Sequence, residues 1–224
     1  MTFTLARRLT AEAVGTAMLL MVVIGSGIMA ERLSGGNVAL ALLGNSLATG
    51  CGLAVLILVF GPVSGAHFNP VITLVMALRR EIGVAIAAGY VAAQLAAAFV
   101  GVAVADFMFG EPLFAAATRA RSGLPQCFSE AVATFGLVVV VLGCMRHRVA
   151  AVPFAVAIYI TGAYWFTSST SFANPAATLA RSVSDTFAGI RPGDTGPFIV
   201  AQLIGALAAA VFCRWLWDPV AKDR

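Results

Sequence analysis

Two asparagine–proline pairs interrupt an otherwise apolar chain: Asn69-Pro70-Val71 within "HFNPVITL" and Asn174-Pro175-Ala176 within "SFANPAATL". Asparagine caps a helix by accepting a backbone N–H on its side-chain carbonyl. Proline suits the first helical position, where its missing N–H would have no partner anyway. A capping asparagine still has NH2 donors to offer. Each pair therefore predicts a helix start that presents hydrogen-bond donors to whatever lies in front of it. A single pair reads as ordinary capping; two, each heading a short apolar segment, point to a pore.

Other polar residues sit where polarity is costly. Glu12 and Glu130 lie inside apolar runs, and an ionisable group there is functional by default. Read from the residues alone, the pair offers a structural scaffold or a proton relay of the kind a pump uses. No accompanying chain of titratable groups favours the relay. Gln94 and Gln202 are placed in the same scaffolding. His67, two residues before Asn69, reads as a pH sensor or as a loop-positioning donor. Asp106, near a span end, is expected at the interface, and His147, between Arg146 and Arg148, in a solvated loop. Cys51, Cys127, Cys144 and Cys213 contain no CxxC pair and read as buried, inert thiols. Neither a metal nor a cofactor is expected.

The elements that must position these residues follow from composition. Of 224 residues, 60% are hydrophobic and 11% charged, whereas soluble domains carry about 25% charged residues. The chain is built for a lipid bilayer. Its net charge of +4 is spread over short connecting segments, which speaks against nucleic acid as a partner. Spans are expected at roughly 9–30, 37–60, 83–107, 127–145, 151–169 and 196–217, the first being a retained helix despite its likeness to a signal peptide. "NPVITLVMAL" and "NPAATLARSVSD" are too short to cross: ten helical residues cover about 15 Å, half of the hydrocarbon core. They can reach the midplane from opposite faces and meet there.

Six spans put nine cations on one face (Arg7, Arg8, Arg79, Arg80, Arg146, Arg148, Arg214, Lys222, Arg224) and five on the other (Arg32, Arg119, Arg121, Arg181, Arg191). Positive-inside counting then makes both termini cytoplasmic, in the inner (plasma) membrane. The halves repeat: "AEAVGTAMLL" matches "SEAVATFGLV", and "YVAAQLAAAFVG" matches "FIVAQLIGALAA". Three spans and a half-span per copy give an inverted-topology repeat, roughly 9–107 and 127–217, within one channel domain covering 1–224. The expected fold is an all-α membrane protein with six transmembrane helices and two re-entrant half-helices.

The twin boxes, the glutamates in spans one and four, and the glutamines in spans three and six resemble the aquaporin, or major intrinsic protein, family. The match covers nearly the whole chain, with Val71 a small departure at an apolar position. "GSGIMAERL" and "ARSVSDTFAGIRP" are similar to a bacterial subgroup sometimes encoded beside arsenic-resistance genes. The resemblance implies that Glu12 and Glu130 accept hydrogen bonds from the re-entrant loops, that His67 lines the pore, and that four copies assemble with one pore each. It also implies a four-residue constriction, which offsets from the boxes place at Thr49, Gly162, Ser171 and Ala177. Family members usually carry an arginine at the last of these positions, so the ring here lacks both that arginine and an aromatic. By volume it admits solutes wider than water. Arg181 lies four residues past Ala177, on the same helix face, and leans toward the helix N-terminus. Two readings stand: its guanidinium reaches back over Ala177, or it pairs with Asp185 at the rim.

The expected function is a passive channel for water and small uncharged solutes, including glycerol-like polyols and neutral metalloid hydroxides such as arsenite. The alternative is an ion-coupled secondary transporter. An enzyme has little support, since no nucleophile–base constellation is present.

Overall fold

A computed structural model of the protein describes residues 3–217; Lys222 and Arg224, counted among the cations above, lie outside the described residues. Among the described residues eight α-helices follow one another: α1 (Leu5–Leu33), α2 (Val38–Ser64), α3 (Pro70–Leu78), α4 (Val84–Phe109), α5 (Leu124–His147), α6 (Val152–Phe166), α7 (Pro175–Ala180) and α8 (Pro192–Trp217). Six are long and apolar enough to cross a membrane, α6 together with the 3-10 turn before it; α3 and α7 are the two re-entrant half-helices. Local chemistry sets several ends. The Asn37 side chain accepts the Leu40 N–H to start α2, and Gly65 (φ 93°) and Gly110 (φ 69°) close α2 and α4 in the left-handed region that glycine tolerates.

Most spans run a few residues longer than the sequence expectation, and two elements end early. The fifth span stops at Phe166, because Thr167 already has an extended backbone. The second half-helix is only six residues, continued by a 3-10 turn at Arg181–Val183. Its later carbonyls are drawn into the loop layer instead: the Arg181 carbonyl accepts from Ile190 N–H and the Ser182 carbonyl from Ala117 N–H.

α1 packs on α4 and α2, α5 packs on α8 and α6, and α2 meets α6 where the halves join. Small residues permit the tightest crossings. A Cβ on Gly101 of α4 would overlap the Ala17 carbonyl of α1, and one on Gly205 of α8 would overlap the Ala131 carbonyl of α5. Such close approach drives helix association in lipid, where burying apolar surface brings no gain. Two expectations are corrected here. Asp106 is fully buried and accepts from Ser184 Oγ; of the cysteines only Cys213 is buried, Cys127 and Cys144 being half-buried and Cys51 exposed on α2.

Candidate functional site

The two boxes are stapled to each other. Asn69 Oδ1 accepts from Val71 N–H at 3.0 Å, while its NH2 donates to the Ala173 carbonyl at 2.8 Å. Asn174 Oδ1 accepts from Ala176 and Ala177 N–H, and its NH2 donates to the Phe68 carbonyl at 2.8 Å. Each asparagine thus caps its own half-helix, starting at Pro70 or Pro175, and holds the residue just before the other asparagine. An amide NH2 carries two donors, so one N–H on each remains for the cavity that both side chains line.

Behind each box a buried glutamate carries the loop. Glu12 accepts from Ser64 Oγ (2.6 Å), His67 N–H (2.9 Å), Phe68 N–H (2.8 Å) and the Gln94 amide (2.8 Å). Glu130 accepts from Phe172 N–H (2.8 Å), Ala173 N–H (2.9 Å) and the Gln202 amide (2.7 Å). Gln94 and Gln202 also donate to Thr73 and Thr178, each four residues past its asparagine. An ionised carboxylate only accepts, and the surroundings offer only donors. The loops need this support: Ala66 and Phe68, like Ser171 and Ala173, hold positive φ values that side-chain-bearing residues seldom adopt. His67 lines the cavity, with Nδ1 3.1 Å from Thr73 Oγ1 and its ring edge-on to Tyr90.

The cavity, about 570 Å³, runs from Arg181, Tyr164 and Thr49 past the two asparagines to Gly61, Val149 and Pro153. Of the expected ring, Thr49, Ser171 and Ala177 line it. Gly162 does not: it faces outward, and a Cβ there would meet nothing within 4 Å. The helical period explains the difference. α6 turns Val156, Ile160 and Tyr164 to the cavity at four-residue steps, and Gly162 falls between two of them on another face. The ring therefore does contain an aromatic, with the Tyr164 hydroxyl 3.2 Å from Thr49 Oγ1.

Arg181 lines the cavity as well, only 2% exposed, its guanidinium carbon 3.3 Å from the centre of the Phe172 ring and its Nε–H donating to the Ala188 carbonyl at 2.6 Å. The ion pair with Asp185 does not form; Asp185 accepts instead from Thr118 N–H and Oγ1. Phe172, two residues before Asn174, holds in the second loop the place that His67 holds in the first. That offset was available in the sequence and marks Phe172, just as the helical period marks Tyr164. Nothing in the sequence marked Arg121. It reaches in from segment 111–123, on the face opposite the termini, to donate to the carbonyls of Gly189, Ser169 and Phe187 and to stack on Phe172. Burial first, then the charges of Arg181 and Arg119, pull Arg121 down to about 9.

Two half-helices meeting at paired capping asparagines, under an arginine-bearing ring, define a membrane pore protein. Residues 1–149 match the model of the Major intrinsic protein family, and the chain belongs to that family. It is 51% identical to aquaglyceroporin AqpS of Rhizobium meliloti over 217 residues, 97% of this chain and 93% of that protein. It is 29% identical to the probable aquaporin AqpM of Archaeoglobus fulgidus over the full length of both. The X-ray structure of the aquaglyceroporin from Plasmodium falciparum shares the fold, with a TM-score of 0.67 at 21% identity over 94% of this chain and 96% of that one.

Proposed function

We propose that the protein is a passive channel for water and small uncharged solutes, glycerol-like polyols first among them. The observation that carries this reading is the ring's two-sided chemistry. Tyr164, Phe172 and Ala177 offer an apolar wall, while Ser171 Oγ, buried with no partner, and the terminal N–H groups of Arg181 offer hydrogen bonds. A polyol has the same two sides, CH groups along one edge and hydroxyls along the other. Arg181, rather than a residue at position 177, supplies the cation that repels other cations. Lower down, the α3 and α7 N-termini each bring up to about half a positive charge to the midplane, and the free N–H of each asparagine hands a neutral molecule along. Neutral metalloid hydroxides such as arsenite present similar hydroxyls and belong to the same proposed class. The similarity to AqpS, whose name states that it is an aquaglyceroporin, agrees with a polyol-sized pore.

The rest of the reading concerns placement. In this reading the repeats run roughly 9–107 and 127–217 within one domain, and the protein sits in the inner membrane with both termini cytoplasmic, an orientation that the cation asymmetry supports. Four copies assemble in the bilayer, one pore in each. An ion-coupled transporter is the weaker reading, because neither Glu12 nor Glu130 lines the cavity and each is committed to its own loop. The test is labelled-glycerol uptake into proteoliposomes under imposed proton or sodium gradients. The channel reading expects uptake that equilibrates and ignores both gradients. Accumulation driven by either gradient would establish coupled transport instead.

A further inference from the structure

A second cavity, about 250 Å³, adjoins the ring on the face opposite the termini, and Arg181 belongs to the walls of both. Arg119 and Arg121 also line it. Among the described residues none of these three arginines pairs with a carboxylate, whereas Arg191, on the same face, pairs with Asp194. Glu130, which acts on Arg121 and Arg181, is occupied by the Phe172 and Ala173 N–H groups and by the Gln202 amide. The three guanidinium groups share a confined space whose lining residues include no carboxylate.

Their donors are unequally used. Arg121 is held by backbone carbonyls and Thr170 Oγ1. Arg119 gives one N–H to the Phe187 carbonyl and stacks on the Phe187 ring. Arg181 gives only Nε–H, to Ala188, which leaves the two terminal nitrogens that form a guanidinium's bidentate edge. In the same cavity Gln126 Oε1 is buried with no donor. An ion that satisfied this set would carry negative oxygens for the arginines and an O–H for Gln126. The volume equals roughly eight waters at about 30 Å³ each, room for a tetrahedral ion with part of its hydration shell.

We propose that this cavity is a binding site for a small protonated oxyanion of the dihydrogen phosphate type, held through its anionic oxygens by Arg181 and Arg119 and through its hydroxyl by Gln126. Cavities lined by one sign of charge concentrate counter-ions, and guanidinium is the group best suited to a bidentate oxyanion contact. A phosphate diester in a lipid headgroup shares the anionic oxygens and lacks the hydroxyl. The site does not depend on which neutral solute the pore conducts, because binding is read without flux.

The experiment measures the thermal midpoint of the purified full-length protein in a neutral detergent, in a bulky sulfonate buffer at constant ionic strength. Inorganic phosphate is titrated in one arm and the anionic lipid phosphatidylglycerol in another. The expected result is a saturable rise with phosphate, weakened about tenfold in apparent affinity in Arg119→Gln and in Gln126→Leu, each compared with its own phosphate-free midpoint. Two peripheral variants keep the test valid should one fail to fold. No rise with phosphate, an equal rise in both variants, or a rise with the lipid alone would overturn the proposal.

Discussion

Arg181 is the residue on which the proposed selectivity turns, and its position shows how a cation can be fixed without a carboxylate. Its Nε–H is anchored on Ala188 and its plane lies on Phe172, so the terminal nitrogens are directed by packing. Arg181→Ala should therefore let small cations through, read as a sodium or potassium conductance in planar bilayers; unchanged ion exclusion would shift that role to the half-helix N-termini. Tyr164 forms the opposite wall. Tyr164→Ala should raise the flux of five-carbon polyols relative to glycerol in the same vesicles, and an unchanged ratio would mean the ring is not the narrow point. Offsets counted from the boxes found Thr49, Ser171 and Ala177 but gave Gly162 for Tyr164. Ser171 and Ala177 flank their own box and Thr49 falls on the inward face of α2, whereas α6 follows its own helical period and turns Tyr164, not Gly162, inward. Arg121 was illegible because long-range contact with Phe172 leaves no local pattern.

The half-helices depend on the glutamates behind them. Glu130→Gln would set an amide NH2 against the backbone N–H groups of Phe172 and Ala173, which now find acceptors. Losing charge-assisted hydrogen bonds and burying an unpaired donor costs about 2 kcal/mol or more, so the thermal midpoint in detergent should fall clearly below wild type. An equal midpoint would mean the second loop holds its shape without the carboxylate. Helix crossings set a similar limit. Gly101→Val would force α4 away from the Ala17 carbonyl, and size-exclusion chromatography should show loss of the folded species. The start of each half-helix was readable because Asn-Pro encodes cap and first turn locally. The early end of α7 was not, since it depends on Ala117 N–H reaching the Ser182 carbonyl from a distant loop.

The whole molecule is held by correspondences between its halves. Each asparagine donates to the residue before the other, each glutamate carries two consecutive loop N–H groups, and each glutamine bridges its glutamate to a threonine. Paired motifs made this architecture legible, because two short helices that cannot cross alone have few places to go. The pore's permeant class was less legible, since it depends on which faces of α2 and α6 look inward. The most direct test of the channel reading is stopped-flow light scattering on proteoliposomes, comparing water and glycerol permeability with protein-free vesicles. A ring of Tyr164, Thr49, Ser171, Ala177 and Arg181 around a cavity of about 570 Å³ predicts fast glycerol influx alongside fast water. Fast water with glycerol held at the protein-free rate would contradict it and mean that the ring closes on anything wider than water.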